Sequence, residues 1–127
     1  MMARGNMTAE EGIRAMVPFI YDAGTPRERV EQDLEIRARS YPKAASYFAQ
    51  VAGVMAHNTY DKLGEISAPT LVIHGETDQL VPPENGALLA KRIPGAKLVM
   101  LPRASHIFPT DQPEASISAI LSFLSEV

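Results

Sequence analysis

Residues 69–75, Pro69-Thr70-Leu71-Val72-Ile73-His74-Gly75, form a short apolar run that does not alternate with polar residues and closes on glycine. Such a run suits a strand buried on both faces, as in a parallel sheet; a strand with one wet face alternates. Parallel strands need a crossover, usually a helix. The sequence supplies one. Pro83 to Arg92 reads as a helix, with Leu88, Leu89 and Ile93 for its apolar face and Pro94-Gly95 as its stop. Lys97-Leu98-Val99-Met100-Leu101 is then a second strand, ended by Pro102. Thr110-Asp111-Gln112-Pro113 starts a last helix whose apolar stripe is Ile117, Ile120, Leu121 and Leu124. The expected fold class is α/β: a right-handed βαβα unit with two parallel strands and short connections.

The residues before this unit read as helices. Thr8-Ala9-Glu10-Glu11 fits a capping box, in which the Thr8 hydroxyl accepts from the Glu11 amide and the Glu11 side chain reaches back. The helix it opens is expected to run to about Ile20. Thr25-Pro26-Arg27-Glu28 repeats the device, with Pro26 at the first helical position. Val30 and Leu34 lie four apart on one face of that second helix, and Tyr41-Pro42 ends it. Pro42 opens a third helix, where Phe48, Val51, Ala52 and Met55 form a stripe at helical spacing.

Composition excludes several classes of function. The chain of 127 residues has no cysteine, so disulfides, zinc–thiolate sites and a thiol nucleophile are out. A net charge of −3 gives no basic face for nucleic acid. No apolar run is long enough to span a bilayer, and Met1 to Asn6 contain no signal-like apolar stretch. The expectation is a cytoplasmic protein with no membrane and no nucleic-acid partner.

In an open parallel sheet, ligands sit beyond the carboxyl ends of the strands. The first strand is followed by Gly75-Glu76-Thr77-Asp78-Gln79-Leu80-Val81-Pro82-Pro83, the second by Pro102-Arg103-Ala104-Ser105-His106. If the strands are neighbours, Asp78 and His106 meet at one edge. A carboxylate bonded to Nδ1–H of a histidine fixes its tautomer and stabilises the imidazolium that forms. Each residue alone also has a plainer reading, as a turn aspartate or a loop histidine. Glu76 reads as solvent-facing, Ser105 as loop structure and His74 as a packed core residue. His57 sits near the end of the third helix, where an imidazolium suits the helix dipole. Three histidines on three elements give no reason to expect a metal, and no cofactor is implied.

The stretch Ile66-Ser67-Ala68-Pro69-Thr70-Leu71-Val72-Ile73-His74-Gly75-Glu76-Thr77-Asp78, with Val81-Pro82 after it, resembles the late-strand region of the α/β-hydrolase superfamily. So do Ile93-Pro94-Gly95-Ala96, Ser105-His106 and a closing Phe123-Leu124. The resemblance covers residues 63–127, the C-terminal βαβα part of the core. Residues 1–62 resemble the helical cap that such enzymes place over the site. By this resemblance Asp78 is the triad acid and His106 the triad base.

The family's nucleophile stands in Gly-x-Ser-x-Gly on a strand-to-helix turn. No serine here has glycine both two residues before and two residues after it. The expectation is therefore a C-terminal fragment of a serine-type hydrolase, inactive in isolation. In the complete enzyme the bond cleaved would be an ester, a lactone or a C–C bond beside a carbonyl. The substrate would be small and largely apolar, since the cap helices offer Phe19, Ile20, Tyr47, Phe48, Val51 and Met55. Two strands alone are marginal and leave open edges. A homodimer, or pairing with a missing N-terminal half, is expected. The alternative is a non-catalytic binding or oligomerisation module.

Overall fold

A computed structural model describes residues 8–40 and 43–127. Three helices come first: α1 (Ala9–Ile20), α2 (Arg27–Ala38) and α3 (Ala44–Ala56). A 3-10 turn at Tyr60–Glu65 leads to β1 (Leu71–Gly75), α4 (Pro83–Arg92), β2 (Lys97–Leu101), the short α5 (Phe108–Asp111) and α6 (Pro113–Leu124). The two strands pair in parallel, with Leu71 opposite Lys97 and Gly75 opposite Leu101. Helices α4 and α6 both pack against the strands. The βαβα unit is thus present at the expected positions.

Local chemistry accounts for the boundaries. The Thr8–Glu11 capping box forms in both directions and opens α1. Pro83 sits in the first turn of α4, where its missing N–H leaves no bond unmade, and Lys91 and Arg92 close the helix at its negative end. Gly95, at φ +70°, makes the reversal into β2 that a side chain would oppose. Gly86 lets α4 approach β1: a Cβ there would lie 2.8 Å from His74 Nδ1.

Two sequence expectations are corrected. Thr25 does not cap α2; Pro26 occupies the cap position without a side-chain bond. The Thr25 hydroxyl instead donates to Asp111, 2.6 Å away. The last helix is also preceded by α5, which packs against α2. The expected break at Tyr41-Pro42, and a third helix opening on Pro42, lie outside the described residues.

The main apolar cluster joins Ile20, Tyr21, Val30 and Leu34, with Ile13, Val17 and Ile107 against it. Val30 and Leu34 therefore point where their spacing said. Ile107 comes from the loop after β2, so the first two helices and that loop share one core. The stripes on α3 and α6 are uncovered. Residues 45–56 are exposed throughout, Met55 at 82%, and Ile117, Leu121 and Leu124 are more than half exposed.

Candidate active site

Asp78 lies in the turn just after β1. Its Oδ1 accepts the amides of Leu80 at 2.8 Å and Val81 at 2.9 Å. That Asx-type turn folds the loop around the carboxylate and leaves Oδ2 facing the second loop. The residue is only 8% exposed. His106 lies after β2, and its Nδ1 stands 3.1 Å from Asp78 Oδ2. An ionised carboxylate only accepts, so Nδ1 carries a proton, and in the neutral ring Nε2 then keeps its lone pair. The ring is 37% exposed, and no hydrogen bond to Nε2 occurs among the described residues. Burial pushes the Asp78 carboxyl up, but the Val81 amide, the His106 ring and the Leu80 amide together outweigh it. The carboxyl is held below its ordinary value, in the ionised form the pair requires.

The sequence-predicted partners therefore meet. What the pattern did not disclose is His74. Its Nε2–H donates to the Val81 carbonyl at 3.0 Å and lies 3.4 Å from Asp78 Oδ2. His74 is packed, as expected, but against the same turn and carboxylate. It braces the Asp78 loop from the strand side. Glu76 is exposed, and Ser105 is structural: it is 1% exposed and its hydroxyl donates to the Phe19 carbonyl. His57 follows α3 as its cap, within hydrogen-bond reach of Thr59, away from this cluster.

The loop carrying His106 is tightly held. Thr77 N–H donates to the Ala104 carbonyl at 2.9 Å, and Gln112 donates to the Arg103 carbonyl at 3.1 Å. Arg103 itself adopts φ +52°, a left-handed conformation costly for a side chain. Asp111 was legible only as a helix start. It proves to be 4% exposed, with Oδ2 accepting the Ser105 amide at 2.7 Å and the Asp22 amide at 3.1 Å.

A concavity of 190 Å³ opens beside the pair, lined by Ile73, Val81, His106 and Phe108 among others. None of the apolar cap residues named from the sequence lines it. A larger groove of 340 Å³ between α1 and α2 is lined by Val17, Val30 and Leu34 with charged neighbours. It holds no carboxylate–imidazole pair, so chemistry rather than size makes the smaller concavity the candidate site. Among the described residues, no three His, Asp or Glu side chains are placed to hold a metal ion, and no helix is long and apolar enough to cross a membrane.

Comparison with known proteins bears on the fold and family. Residues 9–113 match the model of the alpha/beta hydrolase fold family. The chain is 33% identical over 102 residues to a pimeloyl-[acyl-carrier protein] methyl ester esterase of Nitrosospira multiformis, covering 80% of this chain and 38% of that one. It is 35% identical over 110 residues to a 2-hydroxy-6-oxo-6-phenylhexa-2,4-dienoate hydrolase of Burkholderia cepacia, covering 84% and 38%. The chain thus spans about two-fifths of the length of these curated relatives. Among solved structures, Rv0554 from Mycobacterium tuberculosis superposes with a TM-score of 0.80 at 22% identity, over 96% of this chain and 46% of the other, a likeness of fold. The parallel strands, the loops at their carboxyl ends and the family match converge: the chain belongs to the alpha/beta hydrolase fold family.

Proposed function

We propose that this chain carries the acid–base part of a serine-type hydrolase acting beside a carbonyl. His106 takes the proton of an attacking hydroxyl at Nε2 and later returns it to the leaving group. Asp78 holds the ring in the required tautomer and balances the imidazolium. The observation that carries this reading is the 3.1 Å contact between His106 Nδ1 and Asp78 Oδ2 beside an open concavity. The attacking hydroxyl and the oxyanion donors come from residues outside this sequence. Relatives named as a methyl ester esterase and as a dienoate hydrolase support an ester or a C–C bond beside a carbonyl as the bond cleaved. The apolar lining supports a small, largely apolar substrate, and no cofactor takes part. A cytoplasmic location belongs to the same proposal.

A positioned general base contributes roughly 10²–10⁴-fold to a rate. Without a nucleophile and oxyanion donors the larger contributions are missing. The isolated chain is accordingly proposed to be inactive on activated esters. The test is a chimera in which this chain replaces the matching segment of the Nitrosospira esterase. Ester turnover that disappears in a His106→Ala chimera is the expected result. Turnover unchanged by His106→Ala would overturn the reading.

The uncovered stripes on α3 and α6 favour a second reading, in which the chain associates with copies of itself or with a separate N-terminal half. Fully burying each such side chain contributes about 1.5–3 kcal/mol, set against the cost of association, and this is the drive toward a partner. On that reading the pair need not turn over at all, and the chain serves as a binding or oligomerisation module.

A further inference from the structure

The turn between α1 and α2 touches both loops of the acid–base pair, although it lies more than fifty residues upstream of either. Asp22 N–H donates to Asp111 Oδ2 at 3.1 Å, and the Thr25 hydroxyl donates to Asp111 Oδ1 at 2.6 Å. The same Asp111 Oδ2 accepts the Ser105 amide at 2.7 Å, one residue before His106. On the other side, Asp22 Oδ2 lies 2.7 Å from the Thr77 hydroxyl, one residue before Asp78. That hydroxyl is also 2.9 Å from the Ala104 carbonyl, so its single proton is shared between the turn and the His106 loop. On the far side of His106, the Ile107 amide donates to the Ile20 carbonyl at 2.8 Å, next to the turn.

We propose that Asp111 and Asp22 are positioning residues that lock His106 in register with Asp78 through the α1–α2 turn. This rests on the reading of Asp78 and His106 as an acid–base pair. A carboxylate accepts all three donors that converge on Asp111, whereas a missing side chain accepts none. The Ser105 amide is buried with its residue and has no water to turn to, so losing its acceptor frees the loop to move. Gly24 N–H donates to Asp22 Oδ1 at 2.9 Å, which keeps the turn itself in shape. The Arg29 guanidinium reaches the Thr110 and Asp111 carbonyls at 3.3 and 3.2 Å, so α2 holds the backbone that presents the carboxylate. Movement of the first two helices is thereby felt at His106, which gives the helices before the sheet a part in the reaction beyond covering it.

The test reads the Nδ1–H proton of His106 by NMR in the full chain. The wild-type chain should show it, paired to Asp78. Asp111→Ala should abolish the signal, and Asp111→Asn should restore it. The Asn oxygen still accepts the two amides, and its amino group donates to a rotated Thr25 hydroxyl. If Asp111→Ala does not fold, the turn double variant Asp22→Ala/Thr25→Val removes the two side-chain links from the turn, to Thr77 and to Asp111 Oδ1, without altering either loop, and it too should abolish the signal. Val30→Ala, which loosens the adjacent core without touching these bonds, should leave it in place. A signal unchanged in both Asp111→Ala and the double variant overturns the positioning role while leaving the pair intact. Equal loss in Val30→Ala also overturns it. Absence of the signal from the wild-type chain overturns the pair first and this inference with it.

Discussion

The carbonyl oxygen of Ala104 occupies the space into which a side chain on Gly75 would project: a Cβ there would lie 2.3 Å from it and 2.4 Å from the Ser105 oxygen. This contact sets how closely the two loops at the strand ends approach. Because both obstacles are backbone, no rotamer change relieves them. Gly75→Ala is therefore expected to destabilise the fold by about 1–3 kcal/mol and to push the His106 loop away from Asp78. Chemical denaturation gives the first effect and the His106 ring resonances give the second.

Acid should weaken the protein through Asp78. Its carboxyl is held below the ordinary value near 3.9, so the native state binds fewer protons than the unfolded chain between the two values. The stabilisation is present above the unfolded value and is lost as pH falls through the folded one. Denaturation of wild type and of Asp78→Asn at a series of pH values checks this. The stability difference between them should shrink as the solution is acidified below about pH 4.

Tyr21 offers the opposite case. Its phenol is pushed up to about 12, first by burial and then by the neighbouring Asp33 carboxylate, to which it donates. A raised folded value means that the contribution is full below pH 10 or so and fades as pH rises through about 12. Phenolate absorbance should show a late-titrating tyrosine that Tyr21→Phe removes. The same substitution should weaken the attachment of α1 to α2, because the Tyr21 hydroxyl at the end of α1 donates to Asp33 on α2.

The uncovered faces predict association. Sedimentation at micromolar concentration is expected to show a species larger than the monomer. A Leu121→Lys substitution on α6, at a side chain 61% exposed, is expected to shift it toward monomer without unfolding it. A compact monomer for the unmodified chain would remove the case for self-association.

Much of this was legible before the structure. β2 and α4 fall on their expected residues because proline and glycine mark their ends and the apolar pattern fixes their type. Asp78 and His106 could be paired from sequence because strand order alone brings their loops to one edge. The role of Asp111 was not legible. Its donors come from residues 22, 25 and 105, and no local spacing connects them. Thr25 misled for a related reason: a threonine before Pro-Arg-Glu suits a cap, but Pro26 takes the cap position and the Thr25 hydroxyl is turned to donate to the distant Asp111 carboxylate. The helical stripes told which side chains share a face, not whether anything covers them; α3 has a regular stripe that no described residue covers.

The most direct test is the protonation site on the His106 imidazole at neutral pH, read from its ring nitrogen shifts in wild type and in Asp78→Asn. The wild-type ring should carry its proton on Nδ1, leaving Nε2 free to act as a base. In Asp78→Asn, where an amide replaces the acceptor, the proton should move to Nε2. A wild-type ring protonated on Nε2, or one indifferent to the change at residue 78, would contradict the assignment of an acid–base pair.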